Sequence, residues 1–121
     1  MKTGFLAAAA AIFVLGGCET FEPYLVERET LIDEDGIFVY SDLMEDGWDG
    51  TQHWQFSATN YNAYPVCVSV NFTPNSYADA YSMGGHYRVE PGGTMDIGYV
   101  FAPANFGVNS QAWGPDANGN C

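Results

Sequence analysis

Three stretches after residue 52 alternate apolar and polar residues one for one. Trp54, Phe56 and Ala58 are interleaved with His53, Gln55, Ser57 and Thr59, and Val66, Val68, Val70 and Phe72 with Cys67, Ser69 and Asn71. Met95, Ile97, Tyr99 and Phe101 follow at the same spacing. A repeat of two sends alternate side chains to opposite faces of an extended chain, so each stretch is a strand with one face toward a core. A helix would need apolar residues three and four apart, and no such stretch of useful length follows residue 18.

Turn chemistry divides these strands from their neighbours. Residues 60–65 and Pro91-Gly92-Gly93 read as turns, as does Asp33-Glu34-Asp35-Gly36. Residues 24–32 read as an early strand and Ile37-Phe38-Val39-Tyr40 as a strong one. Residues 41–50 read as a loop, and residues 73–85 as a polar loop holding a short edge strand. Residues 86–90 form a strand with Tyr87 and Val89 inward, and residues 108–113 form the last. Roughly seven short strands at turn-marked spacing imply an all-β fold, a small antiparallel sandwich over residues 24–121, with a small closed barrel as the alternative. The stretches Ala58-Thr59-Asn60 to Phe72 and Val89-Glu90-Pro91-Gly92-Gly93-Thr94 to Val100 resemble immunoglobulin-like modules of bacterial envelope proteins, which carry an Asn-rich turn before a Val-alternating strand and a Pro-Gly turn before the next. That likeness concerns packing rather than activity.

The first residues carry an address. Lys2 is followed by an apolar or small run over residues 5–17. A membrane-spanning helix needs about 20 such residues. A charged start, an apolar middle and small residues before a cut describe a secretory signal. The alternative, a buried globular helix, fits poorly because the run has no polar face. Leu15-Gly16-Gly17-Cys18 resembles the lipobox of bacterial lipoproteins. The resemblance implies a signal peptide over residues 1–17, lipidation of Cys18, and a lipidated tether over residues 18–23. It implies a bacterial cell-envelope protein held to the membrane by its acyl chains, and Glu19, where an Asp would favour inner-membrane retention in enteric bacteria, points to the outer membrane.

After residue 17 the chain keeps Arg28 and Arg88 against all 15 acids, a formal charge of −13. That balance excludes nucleic acid as a partner and leaves attachment to the acyl anchor. Eleven of the acids fall between Glu19 and Asp49, so the chain divides into an acidic first third and a nearly uncharged, aromatic-rich remainder. With Cys18 lipidated, Cys67 and Cys121 remain, and an oxidising compartment favours a disulfide between them. Free thiols or a metal pair are the alternatives. The alternation places Cys67 on the face away from the main core, where the C-terminal tail can cross it.

Candidate sites are few. Asp33-Glu34-Asp35-Gly36, residues 42–49 and residues 116–120 bring oxygen ligands close together beside Gly, the chemistry of calcium. Asp42, Asp46 and Asp49 are the best set, although none of the three stretches has the EF-hand spacing, and Asp and Gly are also ordinary turn residues. Calcium is the one cofactor these residues admit; the principal reading needs none. Of the tryptophans, Trp48 sits in an Asp/Gly loop and Trp113 near the tail, able to stack on a glycan or anchor a protein interface, or else to seal the ends of the sandwich. His53 and His86 stand at strand starts without metal spacing, and no Gly-x-Ser-x-Gly elbow or phosphate loop occurs. The reading that results is a lipid-anchored, non-enzymatic interaction or accessory module with an envelope protein as partner. A calcium- or glycan-binding module is the first alternative and a small hydrolase the second.

Overall fold

The computed structural model describes residues 23–121. The signal peptide, Cys18 and all but the last residue of the tether lie outside the described residues. Eight strands follow in order: β1 (Tyr24–Glu34), β2 (Ile37–Glu45), β3 (Gln52–Asn60), β4 (Val66–Phe72), β5 (Tyr77–Ser82), β6 (Tyr87–Val89), β7 (Thr94–Asn105) and β8 (Val108–Trp113). They form two antiparallel sheets, one in the order β1-β2-β3-β7-β5 and one in the order β6-β4-β8. The fold is the all-β sandwich that the alternation implies.

The core lies where the inner faces meet. Register pairs Val39 with Ala58, Ser41 with Phe56 and Leu43 with Trp54, so these residues share one face of the larger sheet. Val66, Val68, Val70 and Val89 close on them from the smaller sheet, and all four valines are buried. β-Branched side chains suit this role because a pleated strand already holds χ1 in its preferred well. The β1–β2 hairpin turns on two residues, Asp35 (φ 54°) and Gly36 (φ 79°). Two positive φ values in succession give the turn whose twist matches the flanking strands. A Cβ on Gly36 would stand 2.4 Å from Oδ1 of Asn62, so the position excludes any other residue twice over.

Two expectations are corrected. First, β2 does not end at Tyr40. It continues to Glu45 through residues read as a loop, because Ser41 and Leu43 still face inward while Asp42 faces outward toward Arg28 on β1. Second, the alternation of Met95, Ile97, Tyr99 and Phe101 does not hold as one face. Phe56 lies opposite Gly98 but Ser57 lies opposite Asp96, so Ile97 is an extra residue in β7. Such a bulge shifts the phase of everything beyond it. Ile97 and Val100 are therefore buried, whereas Tyr99 and Phe101 are 43% and 45% exposed. Gly98 is required next to the bulge, since a Cβ there would lie 2.6 Å from Sδ of Met83 and 2.7 Å from the carbonyl oxygen of Ser82.

Cys67 lies on the face of β4 away from the core, as expected, and the tail that crosses it leaves it fully buried. Cys67 and Cys121 form a disulfide with Cα atoms 5.7 Å apart. The tail beyond β8 crosses the outer face of the smaller sheet to reach it. Nη1 of Arg88 donates to the carbonyl of Gly119. The ring of His86 sits edge-on to Trp113 at 5.1 Å, and its Nδ1 is 3.3 Å from the carbonyl oxygen of Cys121. The tail folds on itself as Oδ1 of Asp116 accepts the backbone N–H groups of Asn118 and Asn120, both at 2.9 Å. By the chain-entropy model a bridge spanning 54 residues contributes about 4 kcal/mol.

Candidate functional site

The smaller sheet is covered by the core on its inner face and by its own tail at the Cys67 end of its outer face, while Asn71, Asn109 and Gln111 on that face stay exposed. The larger sheet is covered on its inner face. Alternate residues of β1, β2, β3 and β7 face outward, and register sets them in rows. One row runs Leu25, Met44, His53, Phe101. The next runs Arg28, Asp42, Gln55, Tyr99. Leu25, Tyr99 and Phe101 are exposed, while Met44 and His53 are half-buried.

Local contacts hold this face in shape. His53 stacks on Phe101 with ring centroids 5.2 Å apart, and Tyr99 meets Phe101 edge-on at 5.3 Å. Cross-strand aromatic neighbours of this kind each contribute about 0.5–1 kcal/mol. Phe38 stacks on Tyr40 at 4.7 Å, and the Arg28 guanidinium lies 4.3 Å from the Tyr40 ring centroid. Arg28 grips Asp42 with both Nε (2.6 Å) and Nη2 (2.9 Å). The hydrogen bond to Asp42 raises the Arg28 pKa further above its ordinary value. Ser57 Oγ donates to Asp96 at 3.3 Å, and the hydroxyls of Thr59 and Thr94 bond at 2.8 Å. The face is therefore flat, aromatic along one row, and nearly neutral inside an acidic molecule.

The calcium candidates are not brought together. Asp42 is on β2, committed to Arg28. Asp46 and Asp49 lie in the β2–β3 turn, where Oδ1 of Asp46 accepts the N–H of Trp48 at 2.7 Å. Oδ1 of Asp49 accepts both the N–H and the hydroxyl of Thr51. The Thr51 hydroxyl and then its N–H lower the Asp49 pKa below the ordinary carboxylate range. Among the described residues no group of three or more His, Cys, Asp or Glu side chains is arranged to hold a metal. These acids are turn and strand-pairing residues.

Trp48 is 70% exposed at the tip of the β2–β3 hairpin. Trp113, read as either an exposed anchor or a seal at the end of the sandwich, is half-buried against His86. Cys67 and Cys121 are joined, and Cys18 lies outside the described residues. His53 and His86 are 33 positions apart in sequence and lie on different sheets, each against an aromatic ring. Sequence reasoning missed Tyr99 and Phe101 because it carried one phase across Ile97. The signal was available in Gly98, since glycine inside a strand marks a bulge or a close backbone approach.

Concave surface lies elsewhere, along the seam where β1 and β8, the edge strands of their sheets, face each other. Two adjoining recesses of about 740 Å³ and 370 Å³ share Leu31 and follow β8 from Val108 to Trp113. Among the described residues no helix is long and apolar enough to cross a membrane. Compared with protein-family models, with curated proteins and with solved structures, the chain matches none.

Proposed function

We propose that this chain is a lipid-anchored protein of the bacterial envelope, held to the outer membrane through Cys18, whose sandwich is a non-enzymatic interaction module for an envelope protein. The observation that supports the module is the unequal cover of the two sheets. The disulfide-pinned tail covers the Cys67 end of the outer face of the β6-β4-β8 sheet and leaves polar residues, Asn71, Asn109 and Gln111, exposed on the rest, whereas the outer face of the larger sheet exposes the apolar and aromatic Leu25, Tyr99 and Phe101 beside the half-buried Met44 and His53. Aromatic side chains held in place on a rigid sheet lose little entropy on binding, and such residues anchor interfaces. His53 is stacked on Phe101 and His86 sits edge-on to Trp113, each engaged with a ring rather than poised beside a nucleophile, which favours binding over catalysis.

A photo-crosslinking residue in place of Gln55, in the middle of this face, tests the reading in the native envelope. A discrete protein adduct that disappears in the Tyr99→Ser/Phe101→Ser variant is expected. Adducts with lipid alone, or an adduct indifferent to that double change, would overturn it. A Cys18→Ala variant tests the anchor separately: it should leave the membrane fraction or stay uncut while the domain keeps its Cys67–Cys121 bridge.

The same face favours glycan as a second ligand class, on one observation. Stacked rings (His53 and Phe101) stand in the row beside Gln55, a hydrogen-bonding side chain, on a flat sheet. Sugars present an apolar ring face and polar edges, which such a surface matches. A rise in Tm with soluble envelope glycan fragments, lost in Phe101→Ser, would establish it.

A further inference from the structure

The seam between β1 and β8 is unlike the aromatic face. Its floor is apolar, with Leu31, Trp54 and Val108 packed against the core but only half-buried. Its rim is acidic. Register places Glu27 opposite Leu43 and Glu29 opposite Ser41, so both carboxylates turn inward, over the recess instead of away from it. They stand two residues apart on one strand face, about 7 Å along the chain. Neither has a cationic partner among the described residues, where the two ion pairs are Arg28–Asp42 and Arg88–Glu90. At the other end of the seam Glu34 and Asp35 border the larger recess.

Ser41 lies under this rim. It is 5% exposed and lines the recess beside Glu29 and Trp54. Its hydroxyl has no partner among the described residues. No buried side-chain nitrogen or oxygen is sealed from solvent without a partner, so the hydroxyl opens into the recess. The backbone along both margins is also available. Among the described residues β1 pairs only with β2, and β8 only with β4. An unpaired strand edge is a template for another extended chain.

We propose that the seam takes an extended segment of a partner protein in which basic and apolar residues alternate, added as a strand at the edge of β1 with its basic residues on the inward face. Strand addition draws affinity from main-chain hydrogen bonds and specificity from pockets that receive alternate side chains. The apolar, β-branched residues between them would face outward and favour the extended form. A Lys or Arg would lay its alkyl stem against Trp54 and bring its charge to Glu27 and Glu29, as long basic side chains do on apolar surfaces beside anions. Charge selects the occupant. A second copy of this chain would bring further carboxylates, since its described residues hold two arginines, one tied to Asp42 and the other to Glu90. The proposal concerns a different surface from the aromatic face and needs no lipid anchor, so it stands or falls apart from that reading.

The test is binding of a fluorescent Val-Lys-Val-Lys-Val-Lys-Val peptide to the purified full-length chain in detergent. Saturable binding is expected, weakened at least tenfold by Glu27→Gln/Glu29→Gln and weakened by raised salt. It should be unchanged by Asp33→Asn, which removes a charge from the opposite face of the same strand. A peptide N-methylated at alternate amides should bind at least tenfold more weakly. Equal binding of a Val-Glu peptide, equal binding by the double variant, equal binding of the N-methylated peptide, or no binding at millimolar peptide would overturn the proposal. So would a dimer in sedimentation that Glu27→Gln/Glu29→Gln strengthens, which would give the seam to a second copy.

Discussion

The side-chain amide of Asn60 donates to the backbone carbonyl of Val89 at 3.0 Å, and this bond joins the two sheets, since Asn60 ends β3 and Val89 ends β6. Asn60 has no exposed surface, yet its amide is used throughout. The same Nδ2 donates to the carbonyl of Tyr64 at 2.8 Å, and Oδ1 accepts the N–H of Asn62 at 2.9 Å. Its backbone reaches the turn before β7, taking the N–H of Gly92 and giving its own to the carbonyl of Gly93. A buried polar group that leaves no partner unmade fixes one arrangement of its neighbours.

Asn60→Ala should therefore cost far more than a turn substitution. It strands the Val89 carbonyl in a buried place and takes the amide from the part-buried Tyr64 carbonyl and Asn62 N–H, and a buried orphan costs about 1–3 kcal/mol. The expected loss is about 3 kcal/mol in urea unfolding, with Tm lower by more than about 10 °C. A loss under about 1 kcal/mol would show that water replaces the amide at no cost.

Cys121→Ser should lower stability by about 4 kcal/mol through the freed 54-residue span. It should also release the tail from Trp113, so that tryptophan emission shifts to the red in the folded state. Arg88→Ala keeps the bridge but removes the bond to Gly119 and should give a smaller red shift. Emission identical to the parent in both variants would mean the tail stays in place without either contact.

Asp42 separates strand pairing from metal binding. Its partner Arg28 is 45% exposed, and surface ion pairs contribute about 0–1 kcal/mol. Asp42→Asn should thus lower stability by less than about 1 kcal/mol, and calcium at millimolar concentration should move Tm by less than about 1 °C in either protein. A calcium-dependent rise in Tm that is absent from Asp42→Asn would restore a metal role to the acidic turn.

Acid should weaken the start of β1 by a predictable route. Tyr24 donates its hydroxyl to Glu45 at 2.7 Å, and Gln52 donates to the same carboxylate at 3.0 Å. These bonds, Tyr24 first, lower the Glu45 pKa below its ordinary value, and the partner Tyr24 is raised above its own. A lowered carboxylate pKa means the unfolded chain takes up a proton first. The contribution is complete above the ordinary glutamate value and is lost as pH falls below about 4. Glu45→Gln should flatten the pH dependence of stability in that acid range and leave the slope above pH 6 unchanged. Parallel curves for the two proteins would remove Glu45 from the acid response.

What could be read from residues alone follows from the range of each interaction. Val66, Val68 and Val70 were legible because a strand's alternation is local and these valines meet the core without interruption. The parity that turned Cys67 outward was legible for the same reason, and it found the tail. Asp42 read as loop because its partner is 14 residues earlier and no local rule pairs them. Asn60 read as a turn residue because Val89, 29 positions away, is what makes it structural. The edge positions of β1 and β8, and hence the seam, depend on strand order, which no alternation encodes.

The bulge at Ile97 bears on how such a surface could change through descent. Because one added backbone unit decides that Val100 goes in while Tyr99 and Phe101 come out, a single-codon deletion there would exchange interior for exterior along the rest of β7. Point substitutions can only retouch the aromatic row. Insertion or loss of one residue would rewrite it whole, so lineages of this chain that differ in length at this strand are expected to differ in what they recognise.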